Sequence, residues 1–182
     1  MRNLTLVALL LFITALTTGC DSDGGNDDAL ALGEFIATTT GDVDDQLRGD
    51  AVFALSPYSP SQEMLSLRLQ SGTFQPPGRP YDMDLGVFLN VSWEGQPGSF
   101  AVPTVEDGPV NSTLMLPSDR TFGFPTLFRV ESGTVTVVEA TAERVSGTFE
   151  VVAVDVPALE VDGVRYEVRA RGEFVAEPAP EE

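Results

Sequence analysis

From about residue 32 onward the chain alternates apolar and polar residues with period two, the pattern of strands with one buried face. Leu47, Gly49, Ala51, Phe53 and Leu55 share one face, with Arg48 and Asp50 on the other. Leu65, Leu67 and Leu69 alternate with Ser66, Arg68 and Gln70. The longest run places Tyr81, Met83, Leu85, Val87, Leu89, Val91 and Trp93 on one side, with Asp82, Asp84, Asn90 and Ser92 between them. Shorter apolar pieces follow at Phe100–Val102, Leu114–Leu116 and Leu127–Val130. Thr134–Val138 and Arg144–Asp155 bracket a polar turn around Ala140–Glu143, which predicts a hairpin. The closing strand turns Val164, Tyr166, Val168, Ala170, Gly172, Phe174 and Ala176 inward, and Arg165, Glu167, Arg169, Arg171 and Glu173 outward.

Pro57, Pro60, Pro76-Pro77-Gly78, Pro97-Gly98, Gly108-Pro109 and Pro117 punctuate these runs. Their spacing leaves no window for a core helix. The expectation is an all-β domain over residues 32–177, of roughly nine or ten antiparallel strands, built as a β-sandwich or a barrel. The two differ in how the edges close, which alternation does not reveal. A further pattern is Gly-x-Phe, in Ser71-Gly-Thr-Phe74, Ser146-Gly-Thr-Phe149 and Gly172-Glu-Phe174. In each, the glycine would let the inward ring of its own strand lie over bare backbone.

The chain ahead of this domain has a different composition. After Arg2 comes an apolar run from Leu4 to Leu16, then Thr17-Thr18-Gly19-Cys20. The run is shorter than the roughly 20 residues of a spanning helix. A charged start, an apolar middle and small residues before a break form a processing signature. These residues resemble a bacterial lipoprotein signal peptide of the lipobox type, which implies removal of residues 1–19 and lipidation of Cys20. Thr17 departs from the pattern, which has an aliphatic residue three places before the cysteine. An ordinary secretory signal would leave Cys20 as an unpaired thiol in an oxidising compartment, so lipidation is the preferred reading.

Asp21-Ser-Asp-Gly-Gly-Asn-Asp-Asp28 follows. Four carboxylates and two glycines in eight residues cannot bury apolar surface, so residues 20–31 read as the lipidated cysteine and a flexible acidic tether. Asp21, Asp23, Asp27 and Asp28, with Asn26, are oxygen ligands of the kind calcium takes. The glycines fall at the fourth and fifth places, whereas an EF-hand loop needs glycine at the sixth and a bidentate Glu at the twelfth, so a plain tether is preferred. The run also resembles the signal by which some Gram-negative bacteria export lipoproteins to the cell surface. Elsewhere an Asp after the lipidated cysteine implies retention in the inner membrane. The expected address is the cell envelope, as an outer-membrane lipoprotein facing the periplasm or the surface. Residues 178–182 read as a disordered tail.

Charge and composition then exclude several chemistries. The chain carries 28 acidic against 10 basic residues, a net charge of −18, and all ten basic residues are arginine. Nucleic acid, which needs a basic footprint, is excluded as a partner, and so is electrostatic docking on anionic lipid. An acidic, lysine-free surface suits high salt, where self-repulsion is screened, though high GC content also favours arginine. Without histidine there is no Ser-His-Asp triad and no imidazole ligand. Without lysine there is no Schiff base and no P-loop. With Cys20 acylated, no thiolate remains for catalysis or metal binding. No cofactor is expected.

Catalysis would have to rest on carboxylates, as in glycan hydrolysis. The candidates are Asp82 with Asp84, or Glu94 beside Trp93, where the indole could stack on a sugar. Neighbouring carboxylates are expected by chance in so acidic a chain, and Trp93 shares parity with core positions. A carrier of a small apolar ligand would need a barrel with a cavity, lined by Tyr81, Trp93, Phe149, Tyr166 and Phe174. The segment Val145–Glu177 resembles the C-terminal part of uncharacterised β-rich envelope lipoproteins, families that bring no activity with them. The preferred expectation is a lipid-anchored envelope protein with a non-catalytic β domain, a structural or binding module. It would meet a protein or glycan partner through the Pro/Gly-rich segments Ser71–Pro80 and Gly95–Pro109.

Overall fold

The computed structural model describes residues 29–59, 62–104, 111–117, 124–156 and 165–180. Among them are nine strands and no helix: β1 (Glu34–Gly41), β2 (Asp45–Ser59), β3 (Gln62–Phe74), β4 (Met83–Trp93), β5 (Gly98–Ala101), β6 (Thr113–Leu116), β7 (Thr126–Ala140), β8 (Val145–Asp155) and β9 (Glu167–Pro178). The fold is a closed antiparallel barrel. Eight strands form the ring β1-β2-β3-β4-β6-β7-β8-β9, and β1 pairs with β9 to close it. β5 adds to the edge of β7 beyond β6: Gly98–Ala101 face Val137–Thr134, while Thr113–Leu116 face Arg129–Thr126. Both run in the same direction along β7, so together they fill one strand position.

Successive ring strands are neighbours throughout, the up-and-down arrangement that leaves no long free edge. Sequence spacing left sandwich and barrel open, and this closure decides for the barrel. β1 is short. Beyond its first residue β2 and β9 meet directly, with Val52 opposite Glu177 and Phe53 opposite Pro178 in a parallel step. Gly33 bridges the gap, its N–H donating to Val175 O and its carbonyl accepting from Ala51 N, both at 2.7 Å.

The inner face is apolar and the outer face charged. Phe35, Leu47, Leu67, Leu89, Phe128, Val151 and Phe174 are among the buried side chains, while Arg48, Arg68, Glu150, Arg169, Arg171 and Glu173 face outward and are exposed. A barrel that crosses a membrane carries the opposite pattern, an apolar band outside. Among the described residues no helix is long and apolar enough to cross a membrane.

Side chains fill the barrel in register-matched layers. In one layer Gly49 of β2 opposes Phe35 of β1, Phe35 opposes Phe174 of β9, and Phe174 opposes Gly147 of β8. The next runs Leu47, Ala37, Gly172, Phe149 and Val135 across β2, β1, β9, β8 and β7. Large residues thus meet small ones around the ring, as a filled small barrel requires. The Gly-x-Phe pattern finds its explanation here with one change. Two of the three rings lie opposite the glycine of the neighbouring strand, Phe149 with Gly172 and Phe174 with Gly147, whereas Phe74 faces Met83 and is only half-buried. These glycines also let the strands approach. A Cβ on Gly147 would stand 1.9 Å from Thr136 O, and one on Gly172 would stand 2.4 Å from Ile36 O.

The strand directions sort the connections between two ends. The chain enters β1 at Glu34 and leaves β9 at Pro178 at the same end, together with the β2–β3, β4–β5 and β7–β8 connections. The opposite end carries the β1–β2, β3–β4, β6–β7 and β8–β9 connections.

Candidate functional site

The residues singled out from the sequence scatter over the barrel. Cys20 and the acidic run Asp21, Asp23, Asp27 and Asp28 lie outside the described residues. Asp84 sits on the outer face of β4, and both of its oxygens are engaged: Arg68 Nη2 donates to Oδ2 at 2.5 Å and Gln70 Nε2 to Oδ1 at 2.9 Å. Asp82 precedes β4 and is exposed. Trp93 is 5 % exposed, and its indole N–H donates to Gln96 O at 3.0 Å, so the ring is a packed end of the core. Glu94 is exposed just beyond it, where Gln62, Glu63, Trp93, Glu94 and Gly95 border a depression of about 540 Å³. That depression lies at the end where the chain enters the barrel.

The expected loops shift as well. β3 runs on to Phe74, so the connection to β4 starts at residue 75, and Tyr81 lies in it, exposed, before the strand begins. Gly98–Ala101 of the second segment form β5. Of the five large residues expected inward, Trp93, Phe149 and Phe174 are buried and pack with the other core residues, and Tyr166 is half-buried against them. Asp155 was not singled out. It is 4 % exposed, and its Oδ1 accepts the Tyr166 N–H at 3.0 Å, closing the start of the β8–β9 connection.

A second depression, of about 600 Å³, lies on the outer wall across β7, β8, β9 and β1. Its rim is a grid set by register. One row runs Thr136, Thr148, Glu173 and Ile36; the next runs Thr134, Glu150, Arg171 and Thr38. Rows of four strands at the usual inter-strand spacing span about 14 Å. The floor is the backbone of Ala37, Phe149 and Gly172, whose inner faces look into the core.

Arg171 stands in the second row of this grid, between Glu150 and Thr38. Arg48, Arg68, Arg129, Arg144, Arg165 and Arg169 are each paired with a carboxylate. Arg171 makes no ion pair or hydrogen bond among the described residues, although Glu150 lies opposite it on β8 and Glu173 two residues on. Thr136 shares a hydrogen bond with Ser99 at 2.9 Å, while the hydroxyls of Thr38, Thr134 and Thr148 have no hydrogen-bond partner among the described residues. An open depression therefore collects a guanidinium, two carboxylates and several hydroxyls whose hydrogen-bonding capacity is not used by the described residues.

The outward parity of Arg171 and Glu173 was legible in the sequence. Their company was not, because Thr136, Thr148 and Thr38 reach them only through strand pairing. Among the described residues no group of three or more His, Cys, Asp or Glu is placed to hold a metal ion. The fold and site define a closed, side-chain-filled barrel with an open polar depression on its wall. No family model, no curated protein and no solved structure matches the chain.

Proposed function

We propose that this chain is a lipid-anchored protein of the bacterial cell envelope, placed at the outer membrane, whose barrel acts by binding rather than by catalysis. One observation carries the binding reading: the unpaired Arg171 and its hydroxyl neighbours sit in a depression on the wall of a barrel whose interior is filled. The packed interior weighs against the carrier alternative, since a guest would have to displace Phe35, Phe128, Phe149 or Phe174. The engagement of Asp84 by Arg68 and Gln70 weighs against its use as a hydrolytic acid or base.

The anchored reading draws support from Cys20 after its apolar run. A lipid at Cys20 would hold the barrel by the end at which β1 begins, leaving the side wall and the opposite end clear of the attachment. Each buried methylene of such a chain contributes roughly 0.8 kcal/mol, so two or three acyl chains suffice for stable attachment. Growing cells with a clickable fatty acid will label the wild-type protein, and Cys20→Ser will abolish the label. Equal labelling of both proteins would reject the anchor and leave the binding reading untouched.

A further inference from the structure

We propose that the β7–β8–β9–β1 depression is a site for an uncharged glycan chain, with Arg171 as its central contact. The proposal rests on the binding reading above and assigns it a ligand class. The grid brings together groups of opposite demand. Arg171 donates only, Glu150 and Glu173 accept only, and each threonine hydroxyl does both. A sugar hydroxyl is itself donor and acceptor, so neighbouring hydroxyls on one ring meet a guanidinium and a carboxylate at once. The planar fork of arginine delivers two parallel N–H groups to adjacent oxygens, which fixes the orientation of the ring.

The charge pattern selects against the other ligand classes. An anionic chain approaching Arg171 would meet Glu150 across the strand pair and Glu173 next along β9, on a protein of net charge −18. A cationic ligand would be drawn to those carboxylates and meet the guanidinium adjacent to both. A neutral polyhydroxylated ligand satisfies all three groups and meets no unpaired like charge. The threonine methyls and Ile36, 36 % exposed, add apolar surface between the polar groups, where the C–H face of a pyranose can rest. Running across four strands and open to solvent, the depression suits an extended chain better than an enclosed small molecule.

The full-length protein in detergent micelles would be titrated, at millimolar concentration, with maltohexaose, cellohexaose and N-acetylchitohexaose, following backbone amide resonances. Saturable shifts confined to residues 134–136, 148–150, 171–173 and 36–38 are expected for at least one of the three. Arg171→Ala should weaken that binding about tenfold or more, the loss of one charge-assisted hydrogen-bonding group. Its thermal midpoint should stay at the wild-type value, because Arg171 has no partner among the described residues. Binding that survives Arg171→Ala unchanged would overturn the proposal. A parallel titration with hexagalacturonate separates the two levels of the account. If the anionic chain alone shifts these residues, and does so through Arg171, the binding site stands and the neutral-glycan assignment falls. If none of the four shifts them, the glycan assignment and the binding role of this face fall together.

Discussion

Phe174→Ala will lower the stability of the barrel by about 3–5 kcal/mol, the range for truncating a buried aromatic. Phe174 is 1 % exposed and stands between Phe35 on β1 and Gly147 on β8. The ring covers a glycine, so its removal exposes bare backbone to a void rather than to another side chain. A closed ring cannot relax by sliding one sheet against another, because β9 is held by β8 on one side and β1 on the other. Phe149→Ala should behave alike, since Phe149 covers Gly172 in the reciprocal pair. Val138→Ala, at 68 % exposure, should fall within about 0.5 kcal/mol of wild type. Urea unfolding will show the two phenylalanine variants with lowered midpoints and an unchanged slope. A cost below about 1 kcal/mol at Phe174, far under the usual range, would mean that the interior is not filled as described.

The second large effect separates two copies of one tetrapeptide. Ser-Gly-Thr-Phe occurs at residues 71–74 and 146–149, and nothing in the four letters distinguishes them. A Cβ on Gly147 would come within 1.9 Å of Thr136 O, on a strand held by ladders along both edges. Gly147→Ala must push β7 and β8 apart, at a cost of about 3 kcal/mol or more, the upper part of the overpacking range. At Gly72 an added Cβ meets nothing within 4 Å. The difference is the register shift between Gln70 and Gly72, where β3 carries an extra residue against β4. Gly72→Ala should therefore be neutral or stabilise by up to about 1 kcal/mol, through the unfolded chain. Thermal melts of the two variants side by side read this contrast directly.

How far the sequence revealed the fold follows the same local geometry. β4 was plain because Met83, Leu85, Val87, Leu89, Val91 and Trp93 keep strict alternation from end to end. β7 read as two short pieces because the register shift at Glu131 flips the inward parity against β8 from Phe128 and Val130 to Val135 and Val137, before a second shift at Val138. β1 gave a weak signal, since Thr39 faces inward and Ile36 outward, so the two faces differ little in polarity. Tyr81 extended the β4 alternation by one step, yet lies in the preceding connection. Parity continues into a turn without marking where pairing stops.

Closure and site were beyond alternation for one shared reason. The ring closes through β1 and β9, near opposite ends of the chain, and the depression assembles Thr38, Thr136, Thr148 and Arg171 from four strands. Pairing partners at that separation leave no trace in a single sequence. The outer-face carboxylates illustrate the converse: Asp84 looked like chemistry by composition and is an ion-paired wall residue by geometry. Its exposed pair with Arg68 contributes little stability, in the 0–1 kcal/mol range of surface ion pairs.

The central claim is that this barrel is filled and binds on its outside. Native mass spectrometry of the protein purified from its own cells tests it most directly. The account predicts one species, with the mass of the chain and its covalent modifications and no stoichiometric apolar guest. A small apolar molecule retained in a one-to-one complex, and lost only on unfolding, would contradict it and make the barrel a carrier.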